Sequence, residues 1–106
     1  MAEIVVKEEH DGRTVSAKVG DSLTVELPEN PTTGFRWAPI DSDASTVALE
    51  TDEFILGSKG AVGGGGTRVF RLRVKGLGRA RLQFELMRAW ESNAPSKLFE
   101  IHISVQ

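Results

Sequence analysis

Acid–base or nucleophilic chemistry needs a thiol, hydroxyl or amine held beside a histidine or carboxylate, and this chain offers little of that kind. It has no cysteine, which excludes disulfides, thiolate metal sites and thiol nucleophiles. Its two histidines, His10 and His102, both lie outside the long loops, and His102 alternates onto the polar face of the last strand-like stretch. The 15 acidic residues are scattered, with no spacing that would ligate a metal. These groups read as solvated strand surface. The sequence argues against an enzyme, and it implies no cofactor and no metal.

Recognition chemistry is better represented. Asn30-Pro31-Thr32-Thr33-Gly34-Phe35 combines four kinds of turn chemistry. Asn30 can bond its own backbone, Pro31 fixes φ near −65°, Gly34 permits φ > 0, and Thr32 and Thr33 are stiff at χ1. It is either a plain connection between strands or a stiffened tip that presents two hydroxyls. Residues 57–66 hold Gly57, Gly60 and the run Gly63-Gly64-Gly65-Gly66. Ordering each glycine costs roughly 0.5–1 kcal/mol more than alanine. The run is therefore either a floppy hairpin end or a bare backbone that a partner must approach closely. A phosphate cradle is not supported, because no Gly-Lys-Ser/Thr ending and no helix follow. Arg88-Ala89-Trp90 then pairs the two residue types most enriched in interface hot spots. By parity Trp90 continues an inward face, so it is either a core cap or an exposed aromatic at a loop base.

The elements that must hold these loops are strands. At 106 residues the chain is a single domain spanning 1–106, 40% hydrophobic and 26% charged. A net charge of −2 gives no reason to expect nucleic acid or anionic membrane as a partner, and a monomer is expected. The N-terminus enters a strand pattern with no signal-peptide core, which reads as cytoplasmic; a trimmed, exported chain would look the same. Strand signals recur at Ile4–Lys7, Thr14–Val19, Ser22–Leu27, Arg36–Ile40, Val47–Leu56, Thr67–Lys75, Arg79–Met87 and Leu98–Val105. Gly20-Asp21 is expected to close a two-residue hairpin and Pro28 to end the third strand. Trp37 is expected in the core. Val47 and Leu49, then Phe54 and Leu56, form apolar pairs along the fifth strand. Phe70, Leu72 and Val74 point inward, and Val69, Arg71 and Arg73 outward. Ala80, Leu82, Phe84 and Leu86, with Phe99, Ile101, Ile103 and Val105, complete the inward set.

About eight strands at spacings near 8–12 residues make an all-β, immunoglobulin-like β-sandwich of two antiparallel-rich sheets. Strands in a sandwich run up and down, so connections after the third, fifth and seventh strands emerge at one end. That puts the Asn30, glycine and Arg88 loops side by side.

The hexapeptide NPTTGF at 30–35, the glycines at 63–66 and Arg88-Ala89-Trp90 resemble, in order and spacing, the chagasin-like inhibitors of papain-family cysteine peptidases. That family carries the signatures NPTTG-aromatic, G-x-G-G and R-P-aromatic on an immunoglobulin-like sandwich. The resemblance implies a 1:1 partner, a papain-like cysteine peptidase. It implies that Thr32 and Thr33 enter the catalytic cleft on a wedge, that the glycine loop runs along one side, and that Arg88 and Trp90 meet the other rim. A chain without cysteine cannot form a mixed disulfide with the peptidase thiolate, so inhibition should be reversible and non-covalent. Pro31 should resist cleavage by removing an N–H. Ala89 stands where the family usually has proline, which removes a φ restraint from the third loop. The alternative is a non-catalytic immunoglobulin-like module that binds a ligand or carbohydrate or serves adhesion.

Overall fold

A computed structural model describes residues 2–30, 33–40, 45–56, 65–88 and 97–106. Eight strands are present among them: β1 Glu3–Lys7, β2 Thr14–Ala17, β3 Ser22–Glu29, β4 Phe35–Pro39, β5 Val47–Leu56, β6 Gly66–Val74, β7 Gly78–Arg88 and β8 Lys97–Val105. A 3-10 turn, Glu8–His10, follows β1. One sheet has the order β1-β3-β6-β5 and the other β2-β8-β7-β4. The pairs β1·β3 and β2·β8 are parallel, and the remaining pairs are antiparallel.

Alternation explains the packing. Leu23, Val25 and Leu27 of β3 and Phe70, Leu72 and Val74 of β6 bury one face of the first sheet. Leu82 and Phe84 of β7, with Phe99, Ile101, Ile103 and Val105 of β8, bury the facing side of the second. Phe70 of the first sheet and Phe84 of the second meet across the gap at 4.7 Å between centroids, and Phe84 lies 6.1 Å from Phe99, its cross-strand neighbour in the second sheet. Trp37 is 1% exposed, as its place in the pattern predicts.

Four local expectations are corrected. Gly20-Asp21 does not close a hairpin, since β2 and β3 belong to different sheets. The Asp21 carboxylate instead accepts the Ala2 and Lys18 backbone N–H groups, both at 2.9 Å, and so turns the chain from one sheet into the other. Pro28 does not end β3, which runs on to Glu29. The β1 partner stops at Lys7 opposite Glu26, so Pro28 sits where β3 has β6 on one side only and a missing N–H is tolerated. In β5 the apolar pairs fail, with Leu49 and Leu56 exposed. The register shift between Leu49 and Thr51 places both pairs on one face, opposite Val74, Leu72, Arg68 and Gly66, but β5 is an edge strand and leaves Leu49 and Leu56 uncovered. Val69 does lie on the outward face with Arg71 and Arg73 but is buried there rather than exposed, because β6 is a central strand and Val69 is flanked by Glu26 and Glu53.

The ladder also shows how the strand ends align. Glu29 and Leu56 both pair with Gly66, Phe35 pairs with Arg88, and Leu86 pairs with Lys97. The connections β3–β4, β5–β6 and β7–β8 therefore leave the sandwich at the same end, as the strand count predicts.

Candidate functional site

The first loop is closed by its own backbone and one hydroxyl. The Thr33 N–H donates to the Asn30 carbonyl at 3.1 Å, and the Thr33 hydroxyl donates to the same oxygen at 2.7 Å. Gly34 adopts φ +82°, where any side chain would be strained, and delivers the chain into β4 at Phe35. Thr33 itself is exposed, but its hydroxyl proton is used inside the loop. Pro31 and Thr32 lie outside the described residues.

Arg88, the last residue of β7, reaches from the third loop to the first. Its Nε donates to the Thr33 carbonyl at 3.3 Å, and its guanidinium lies 4.3 Å from the Phe35 ring centroid. The planar group stacks and donates at once, which a lysine ammonium could not reproduce. The expected neighbours Asn30, Thr33, Gly34, Phe35 and Arg88 are thus brought together. Trp90 and Ala89 lie outside the described residues, and so do Gly63 and Gly64. Gly66 opens β6, and at Gly65 an added Cβ would meet no atom of the described residues within 4 Å.

Beneath these loops is a charged group that the strand pattern did not single out. The Glu29 side chain is 1% exposed and that of Arg68 10%. Glu29 Oε1 accepts the Trp37 backbone N–H at 2.7 Å. Arg68 Nη2 donates to Glu29 Oε2 at 2.7 Å, and Arg68 Nε lies 3.3 and 3.2 Å from the two carboxylate oxygens. Arg68 Nη1 continues to Asp52 Oδ1 at 3.0 Å, and the outer Asp52 oxygen lies 3.7 Å from Arg36. The hydrogen bond to Glu29 raises Arg68 above its ordinary value, outweighing the opposing effect of burial. A signal existed in the sequence: Glu29 shares parity with Leu23, Val25 and Leu27, and Arg68 shares it with Phe70 and Leu72. Opposite charges on two inward faces announce a buried pair.

Elsewhere, His102 Nε2 lies 2.9 Å from Glu100 Oε2 on the outer face of the second sheet, where the ring is half-buried. Among the described residues no group of three or more His, Cys, Asp or Glu is placed to hold a metal ion.

Comparison with known proteins gives this geometry a context. The chain is 34% identical over 90 residues to chagasin of Trypanosoma cruzi, covering 80% of this chain and 81% of chagasin. Its fold superposes on that of the cysteine protease inhibitor EhICP2 from Entamoeba histolytica with a TM-score of 0.88 at 22% identity, covering 99% and 96% of the two chains. It superposes on PbICP-C, solved in complex with falcipain-2, with a TM-score of 0.72 at 14% identity, covering 98% and 89%. At those identities the two structures show the shared fold. The model of the chagasin family of peptidase inhibitors, I42, matches residues 16–105. The chain belongs to the chagasin family, whose members are inhibitors of peptidases rather than enzymes.

Proposed function

We propose that this protein is a reversible, non-covalent inhibitor of papain-like cysteine peptidases, and that it blocks the catalytic cleft with the three loops at one end of the sandwich. The observation that carries this reading is the convergence at that end of Asn30, Thr33, Gly34, Phe35, Gly65, Gly66 and Arg88. Chagasin and EhICP2 support the target class by what they are.

The first loop is the wedge, with Pro31 and Thr32 at its tip. Its base is preformed: Gly34, the Thr33 hydroxyl and the Arg88 bridge hold it before any partner arrives. Ordering that is already complete in the free chain lowers the cost of association. The glycines, Gly63 to Gly66, border the cleft on one side, where the absence of side chains lets peptidase backbone come close. Arg88 and Trp90 border the other side and supply polar and aromatic contact. A standard interface of ~1,600 Å² is adequate for tight binding of this kind.

A titration of papain with the chain tests the reading. Activity should fall linearly to zero near one equivalent and return on dilution. Full papain activity at micromolar inhibitor would overturn the proposal, and inhibition that persists unchanged in Thr32→Arg would overturn the wedge.

A further inference from the structure

We infer that the buried Glu29–Arg68 pair is a positioning device that sets the spacing between the first and second loops, and so governs how tightly the chain holds a peptidase without touching the peptidase itself. The inference rests on the inhibitory reading above.

Its basis is the set of strands that one carboxylate joins. Glu29 ends β3 and accepts the Trp37 N–H of β4, so it ties together the two strands that flank the first loop, although they belong to different sheets. Through Arg68 it then grips β6, two residues beyond Gly66, and through Arg68 and Asp52 it reaches β5. The strands β5 and β6 are those that flank the glycine loop. All four loop feet therefore converge on one guanidinium–carboxylate pair.

Stability alone is a poor reason for such a pair. A buried ion pair is often no better than apolar groups of the same volume, whereas its directional bonds specify one geometry. The other inward residues of β3 and β6, Leu23, Val25, Leu27, Phe70, Leu72 and Val74, are apolar and buried. Charge enters the interior of this sheet at the loop-bearing end. Apolar contacts would hold the sheets together there too, but they would leave the loop feet free to slide. Two parallel N–H···O bonds do not.

Three variants separate positioning from mere stability: Arg68→Met, Glu29→Gln, and Ile103→Ala as a core control far from the loops. Papain inhibition is measured for each, together with the amide resonances of Asn30, Thr33, Gly34, Gly65 and Gly66 in the free chain. Arg68→Met and Glu29→Gln should weaken inhibition about tenfold, mainly through slower association, because fewer molecules hold the competent loop spacing. Both should shift amide signals at the feet of both loops. Ile103→Ala should lower the melting temperature and leave the inhibition constant in place. Should Arg68→Met fail to fold, the double variant Glu29→Leu/Arg68→Met removes both charges, and weakened inhibition is expected of it too.

Wild-type inhibition by a folded Arg68→Met or by the double variant would overturn the inference. So would an equal loss of inhibition in Ile103→Ala at matched melting temperature. A wild-type chain that does not inhibit papain would remove the proposed function instead. The free-chain resonances then decide the coupling, and Gly65 and Gly66 signals unmoved by Glu29→Gln would overturn it.

Discussion

Replacing Trp37 with phenylalanine should cost about 3 kcal/mol and lower the melting temperature by roughly 15 °C. Trp37 is 1% exposed, and its indole N–H donates to the Pro28 carbonyl at 2.8 Å, so it joins β4 of one sheet to β3 of the other. Phenylalanine removes the donor and strands a part-buried carbonyl, a loss of ~1–2 kcal/mol. The smaller ring leaves a void of roughly 40 Å³, which at ~24 cal/mol per Å³ adds about 1 kcal/mol. Reduced apolar burial contributes a similar amount. The backbone N–H of residue 37 still reaches Glu29, so the loop base keeps its charged anchor. Thermal unfolding followed by far-UV circular dichroism, with a urea titration beside it, measures the loss. The urea midpoint should fall while the slope stays constant. A melting point lowered by less than about 4 °C would refute the assignment of Trp37 as the inter-sheet anchor.

Three further outcomes are expected. Two backbone N–H bonds, from Ala2 first and Lys18 second, hold the Asp21 carboxylate below its ordinary value near 3.8. Its contribution is therefore present above about pH 4 and lost as the pH falls through the depressed folded value, so the gap in melting temperature between wild type and Asp21→Asn should be widest near pH 7 and shrink towards pH 2. A gap that does not vary with pH would contradict this. A Cβ at Gly76 would collide with the Ser45 carbonyl oxygen, so Gly76→Ala should cost ~1–3 kcal/mol in a denaturant titration, and a neutral effect would contradict the close approach. Gly65→Ala meets nothing among the described residues, so it should leave the melting point unchanged or slightly higher while weakening papain inhibition, and full inhibition would show that the peptidase does not approach that backbone.

The strands with one dry face were legible because burial imposes a period of two. β7 and β8 show it cleanly in Ala80, Leu82 and Phe84 and in Phe99, Ile101 and Ile103. The gathering of three loops at one end followed from counting strands. What the sequence hid is non-local. A turn over Gly20-Asp21 serves a hairpin or a sheet crossing equally well, and the choice is made by the Ala2 N–H, 19 residues away in sequence. In β5 a bulge brings Phe54 and Leu56 onto the face of Val47 and Leu49 despite their opposite parity, and the position of β5 at the sheet edge, which no local pattern shows, leaves Leu49 and Leu56 exposed. Arg68 has the inward parity of Phe70 and Leu72, but its partner Glu29 is 39 residues distant, and the strand pattern alone does not show which inward charge it meets. The stiff loop is legible in its residue types, but that the Thr33 hydroxyl proton closes it on the Asn30 carbonyl is not.

Backbone hydrogen exchange of the chain, free and in the presence of papain whose thiol carries a small alkyl cap, tests most directly whether the loop-bearing end is the inhibitory surface. Protection should appear at residues 30–35, 57–66 and 88–96, and be absent at the opposite end, around Gly20 and at Gly76 to Gly78. Protection centred on the opposite end or on an outer sheet face, with the three loops unchanged, would contradict it.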